Sequence, residues 1–245
     1  MPVGEYARIY IQTGAVRNQG LELALNYNNT WKDFTWNTGV TYSMNKNKIL
    51  TLADNAINPI TREKFSISSL NMGGLGSTRF ILKEGGSMGD IYSLMDLKRD
   101  ANGAVYIDEN NSVVTESLEA NNYIKLGSVL PKGNLAWRNN FSWKNINVAF
   151  LVSARLGGVV FSRTQAVLDN FGVSEASAAA RDKGYVSVNG NDRVNPEGWY
   201  SVVAGGTAVP QDYIYSATNI RLQEALSVIL FRENGWAMCV ISKFH

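Results

Sequence analysis

The run FTWNTGVTYSMN, residues 34–45, constrains this chain more than any other stretch. Successive side chains of an extended strand point to opposite faces. Phe34, Trp36, Thr38, Val40, Tyr42 and Met44 therefore share one face, and Thr35, Asn37, Gly39, Thr41, Ser43 and Asn45 the other. One side is apolar and aromatic; the reverse is amide, hydroxyl and glycine, without a charge. The pattern recurs. In GLELALNYNN, Leu21, Leu23, Leu25 and Tyr27 oppose Glu22, Ala24, Asn26 and Asn28. In NLAWRNNFSW, Leu135, Trp137, Asn139, Phe141 and Trp143 oppose Ala136, Arg138, Asn140 and Ser142. In INVAFLVSARLG, Ile146, Val148, Phe150, Val152, Ala154 and Leu156 oppose Asn147, Ala149, Leu151, Ser153 and Arg155. Each segment has the roughly ten-residue length with which a tilted strand crosses a bilayer.

Two architectures produce such alternation. A closed barrel in lipid satisfies its backbone groups between strands, turns apolar side chains outward and keeps polar ones in a wet interior. A soluble β-sandwich packs the apolar face against another, and its outer face usually carries more Lys and Glu. The Asn, Thr, Ser and Gly of the polar faces favour the barrel; a soluble sandwich or β-helix, serving as a surface domain for adhesion or binding, is the alternative. The connections point the same way. NNTWKD and the dipeptide Lys144-Asn145 read as tight hairpins, with Trp31, Phe34, Trp36, Phe141 and Trp143 crowded beside them. The stretches 46–133 and 157–216 are long, poorly periodic and rich in Gly, Asn, Asp and Ser. Short turns with an aromatic girdle at one end and long loops at the other make the asymmetry of an outer-membrane barrel.

Composition removes competing classes. A net charge of +2 with no Lys/Arg run gives nothing to neutralise nucleic-acid phosphates. One Cys (Cys239) and one His (His245) leave no disulfide framework, zinc site or Ser-His-Asp triad; no enzymatic activity, cofactor or metal is expected. No run approaches the roughly 18 consecutive apolar residues of a membrane helix. MPVGEYARIYIQTG lacks the basic start and apolar run of an export signal.

The acidic stretch KRDANGAVYIDENNSVVTE has oxygen ligands for calcium, but not in EF-hand order, and DANG and DENN read as turns. GGLG, residues 73–76, reads as a flexible loop rather than a phosphate cradle. RTQAVLDNFGVSEASAAARDKG is the one helical stretch, with Asp169 and Gly172 as breakers. If the polar faces line a lumen, Glu22, Asn26, Asn37, Arg138, Asn140 and Arg155 are the candidate ligand-binding residues. Tyr92, Tyr106 and Tyr123 could stack on sugar rings, although packing within the loops is their plainer role.

The stretch AVRNQGLELALNYNNTWKDFTWNTGVTYSMNKNKI, residues 15–49, resembles the strand and hairpin in the C-terminal half of SusC/RagA-type TonB-linked outer-membrane receptors. ILKEGGSMGDIYSL (81–94), YIKLGSVLPKGNLAWRNNFSWKNINVAFLVSARLGGVVFSRTQAVLD (123–169) and SATNIRLQEALS (216–227) match the same family in its order. The resemblance implies an all-β fold: an antiparallel transmembrane β-barrel segment, a partial barrel with long extracellular loops and a short helical loop insert. Family members are barrels of about 22 strands that import oligosaccharides or peptides across the outer membrane. They pair with a SusD-like lipoprotein and draw energy through TonB, which engages an N-terminal part not found in these residues. The resemblance also puts EGGSMGDIYSL near the substrate path, folding back toward the lumen. Residues 1–225 read as one portion of the barrel, with 50–130 as a single extracellular excursion. Residues 226–245, LSVILFRENGWAMCVISKFH, depart from the family and read as an atypical tail with no spanning strand, the product of a frameshift or truncation. The alternative to a working receptor segment is a non-functional fragment.

Overall fold

The computed structural model describes residues 11–206, 209–233 and 236–244, with side chains up to Ile229. The N-terminal stretch read for an export signal falls largely outside the described residues. Six antiparallel strands form one continuous meander: β1 (Ala15–Trp31), β2 (Phe34–Thr51), β3 (Gly133–Trp143), β4 (Ile146–Leu156), β5 (Asn219–Glu233) and β6 (Trp236–Phe244). β1 and β6 are its open edges. The four strands expected from alternation are all present, and β2 pairs directly with β3 across an 81-residue gap in sequence, from Leu52 to Lys132. Residues 52–132 therefore leave the sheet and return as one excursion, as the sequence predicted.

Register carries the two-faced character across every strand. Leu25, Val40, Trp137, Val152 and Leu222 lie in one row of paired positions, and Leu23, Tyr42, Leu135, Ala154 and Ile220 in the next. Because the side-chain period is two, a slip of one residue would exchange the faces. The apolar band of β2 runs from Phe34 to Met44, about 33 Å of strand at 3.3 Å per residue, which at a 45° tilt covers the roughly 25 Å apolar belt of a membrane barrel. Beyond it the same face turns polar: Gln19 opposes Lys46 and Arg17 opposes Lys48. The apolar face is uncovered, with Trp137 41% and Leu25 60% exposed. A sandwich would bury these side chains; among the described residues no second layer covers this face.

At the turn end the rings assemble as the girdle reading requires. Trp36 stacks on Phe141 and Phe34 on Phe141, at 6.0 and 6.2 Å between centroids, and Trp31 stacks on Phe34. Both turns are two residues long, Lys32-Asp33 and, as expected, Lys144-Asn145, each opening on a lysine in the left-handed region (φ 51°). The Lys144 backbone N–H donates to the Asp33 carbonyl at 3.1 Å, linking the turns.

The polypeptide's compact core lies outside the sheet. The second excursion, 157–218, carries helices α1 (Arg163–Asn170), α2 (Glu175–Lys183) and α3 (Pro196–Val203). Ala166, Val188, Val194, Val203, Ala204, Val209 and Tyr213 of this excursion pack with Leu97 and Val113 of the first. Polar ties cross the same seam. Ser112 Oγ donates to the Gly198 carbonyl (2.7 Å), the Val105 N–H to Asn189 Oδ1 (2.9 Å) and Gln211 Nε2 to the Met95 carbonyl (3.2 Å). The two loops thus make one cap.

Four expectations change. The helical stretch breaks at Gly172 (φ 68°), as expected, but the other expected breaker, Asp169, lies inside α1. α3 was not foreseen, although Asn195 as N-cap, accepting from the Glu197 N–H, followed by Pro196 at the first position is a regular helix start. GGLG is an ordered hairpin, not a loose loop: Gly74 pairs with Arg79, and a Cβ on Gly74 would fall 2.1 Å from the Thr78 carbonyl oxygen. The tail contains strand: residues 226–233 complete β5 and 236–244 form β6. Its run of Leu, Val, Ile and Phe has strong β-propensity, and the β4 ladder extends it without needing alternation.

Candidate functional site

The polar face of the sheet is the candidate site, built by the alternation that builds the wall. Its rows follow from register. Glu22, Ser43, Asn134, Arg155 and Asn219 form the row nearest the cap. Asn26, Gly39, Arg138, Leu151 and Glu224 form one nearer the turns, followed by Asn28, Asn37, Asn140 and Ala149. All six predicted residues therefore share one face. The structure brings Asn37 directly opposite Asn140, and Asn26 within one strand of Arg138. Gly39 makes the latter approach possible: Asn26 Oδ1 lies over it, 2.6 Å from where a Cβ would stand. Glu22, on the edge strand, stays three strands from Arg155.

The first excursion folds over the cap end of this face. Ile49 and Gly86 bond through Ile49 N–H to the Gly86 carbonyl (2.8 Å), the Met88 N–H donates to Asn47 Oδ1 (2.7 Å), and the Val129 N–H donates to the Gly89 carbonyl (2.8 Å). Arg155 Nη2 donates to the Val129 carbonyl. EGGSMGDIYSL is thus stitched to inward-facing positions of β2. Its own shape depends on Asp90, 1% exposed, whose Oδ2 accepts from the Ser87 N–H (2.9 Å) and pairs with Lys125.

A cavity of about 620 Å³ opens where the cap meets the face and one of about 320 Å³ lies on the sheet beside it, both bordered by Arg155, Asn219 and Arg221. The larger is mainly apolar, with Phe80 and Phe161 among its walls; the smaller adds Ser43, Asn134, Ser153 and Gln223. Neither is bordered by a carboxylate. Arg221, Asn219, Asn134 and Ser43 are site residues the sequence reading did not single out. Asn219 and Arg221 alternate with Ile220 and Leu222, a signal too short to fix a face until β4 supplies its register.

The remaining candidates occupy other roles. Tyr92 is buried, and burial first, then the Asp90 carboxylate, raises its hydroxyl pKa above the ordinary tyrosine value, with Lys125 opposing. Its ring has no open face for a sugar. Tyr106 is exposed beneath the Lys98 ammonium, 4.9 Å from the ring centroid. Asp100 Oδ1 accepts from the Asn102 and Ala104 N–H groups and Asp108 Oδ1 from those of Asn110 and Ser112, so these carboxylates close turns, as DANG and DENN predicted.

No family model matches the chain. Two curated relatives do, both from Formosa agariphila. TonB-dependent receptor P3 is 25% identical over 186 residues, covering 66% of this chain and 17% of the relative. TonB-dependent receptor P26 is 28% identical over 227 residues, covering 86% and 22%. Among solved structures, the RagAB peptide transporter superposes with a TM-score of 0.58 at 15% identity, over 89% of this chain and 23% of that one. The RagAB peptide importer in its closed-closed state gives 0.56 over the same shares. The chain is thus similar in sequence to TonB-dependent receptors of the outer membrane and shares the fold of their barrel. It spans about a fifth of the length of the curated receptors it matches. The two-faced sheet accordingly matches a segment of such a barrel, with its apolar face on the lipid side and β1 and β6 as open edges. Among the described residues no helix is long and apolar enough to cross a membrane.

Proposed function

We propose that this chain supplies six wall strands and part of the outer cap of a SusC/RagA-type importer. In this reading the complete receptor takes up oligosaccharides or peptides, works with a SusD-like lipoprotein at the cell surface and is energised through TonB. The observation that carries the reading is the register itself. Amides, hydroxyls and arginines align from β1 to β5 on one face, while the opposite face stays apolar for the depth of a bilayer. Such a face hydrates a lumen and offers hydrogen bonds to solutes with hydroxyl or amide groups. The likeness to RagAB, a peptide transporter, and to two TonB-dependent receptors supports the assignment.

The test is uptake by cells carrying the complete receptor gene. Labelled oligosaccharide and peptide pools are offered separately to the parent strain, to a strain lacking the gene and to one lacking TonB. Loss of accumulation of one pool in both deletions is expected, and names the substrate class. Recovery of the chain as a soluble, cooperatively folding monomer, or uptake indifferent to the gene, would overturn the proposal.

A further inference from the structure

Three arginines stand on the polar face of the described sheet, Arg138, Arg155 and Arg221, and none has a carboxylate within ion-pair distance among the described residues. Arg155 and Arg221 are diagonal neighbours, since Arg155 pairs with Asn219 and Arg221 with Ser153. Such positions lie about 7 Å apart, within joint reach of two long side chains. Glu22 is three strands from Arg155, about 14 Å at the usual strand spacing, and Glu224 follows Arg221 by three residues, about 10 Å along the strand. Arg155 has one fixed bond, to the Val129 carbonyl; Arg221 has no partner among the described residues and stands exposed at the mouth of both cavities.

We propose that the cleft at Arg155 and Arg221 receives an anionic group, a carboxylate or a sulfate, carried by the imported oligomer; the inference rests on the lumen reading above. Planar guanidinium forks recognise such oxyanions in bidentate fashion. Val129 holds the Arg155 fork while Arg221 is free to close on the ligand. Asn134, Ser153 and Gln223 present amides and a hydroxyl beside the charge, and the larger cavity, with Phe80 and Phe161, suits a ring or apolar side chain. Its roughly 620 Å³ is the size of a small-molecule pocket. The ligand class is an acidic saccharide or an acidic peptide, and neutral oligomers of equal size are discriminated against.

The experiment is calorimetric titration of the complete receptor, purified in detergent, with trigalacturonate, a sulfated galactose trimer and triglutamate, each beside its neutral counterpart. Tighter binding of one or more anionic probes is expected, with a loss of about tenfold or more for Arg221→Gln, partial recovery in Arg221→Lys, and no change for neutral probes. Which probe binds decides between saccharide and peptide. Equal binding of anionic and neutral probes, no binding of any anionic probe, or anion binding indifferent to Arg221→Gln would overturn the assignment. A second measurement separates this failure from that of the lumen reading: Arg221→Cys in a Cys239→Ser background. Modification by a water-soluble thiol reagent keeps the face in water, so that a failed titration removes only the anion site. Modification solely by a lipid-partitioning reagent removes the lumen reading, and this inference with it.

Discussion

Asn139 is the residue whose environment is least expected from its position. It stands on the lipid-facing side of β3, opposite Thr38 and Phe150, yet it is fully buried. Trp36 Nε1 donates to its Oδ1 at 3.1 Å, and Trp137 Nε1 donates to Thr38 Oγ1 at 3.0 Å. Two polar side chains on an apolar face thus each accept a hydrogen bond from an indole, while the buried Asn139 Nδ2 is left without a partner. Trp36→Phe leaves the Asn139 oxygen without a partner and should destabilise the barrel by about 1–3 kcal/mol, whereas Trp36→Phe with Asn139→Leu should recover most of that loss. Urea titration of the complete receptor, read by heat-modifiable gel mobility, measures the cycle. In the cap, Tyr213 donates to buried Asp169 at 3.0 Å, and Gln165 holds the other oxygen at 2.9 Å. Burial first and the Asp169 charge next push the Tyr213 hydroxyl pKa far above 10. A folded-state pKa raised above the unfolded value stabilises the protein fully below that unfolded value and is lost as pH rises through the folded one. The cap should therefore resist trypsin up to about pH 10 and loosen progressively above it. Tyr213→Phe should lower resistance at neutral pH and flatten the alkaline dependence; an unchanged alkaline profile would contradict the assignment.

At the scale of elements, alternation makes adjacent positions of one strand unequal. Val40 lies between Leu25 and Trp137 at mid-band, while Thr41 faces the polar side between Ala24 and Ala136. Val40→Arg should cost about 2–4 kcal/mol of barrel stability, and Thr41→Arg much less; equal losses, read from the same urea titration, would mean that the faces are misassigned. The hairpins add a conformational test. Lys144 holds φ 51°, a region that penalises β-branched residues most. Lys144→Val should lose about 1–2 kcal/mol, and Lys144→Gly should not. The four strands and both turns were legible because Phe34 to Met44 and its counterparts repeat with period two, and because lipid on one side and water on the other leave that period no competitor. The short strands in 52–132 and the third helix were not. Asp90–Ser93 is buried throughout and Met95–Leu97 is only three residues long, so neither displays a period, and their placement depends on partners distant in sequence. β6 was missed for a related reason: its ladder partner β5, rather than its own pattern, makes it a strand. Among residues of the polar face, those on strongly alternating strands could be placed from sequence, and Arg221 waited for the β4 register.

The whole molecule divides its labour between sheet and cap. The sheet exposes its apolar side chains and buries few, whereas the cap holds the one cluster of buried apolar side chains among the described residues, with Val203 and Val194 fully enclosed. Val203→Asp, which places a charge in that cluster, should open the cap to trypsin while heat-modifiable mobility of the receptor persists. Loss of both together would mean that cap and wall fold as one cooperative unit. Expressed by itself, the chain presents the unpaired edges of β1 and β6 to lipid, and should give no heat-modifiable species.

The seam between the excursions has a mechanical corollary. A lid whose halves come from separate hairpins, yet share one interior, has no hinge between them. In the importer reading proposed above it is the fixed jaw of a clamp, and admission of a solute falls to whatever closes against it.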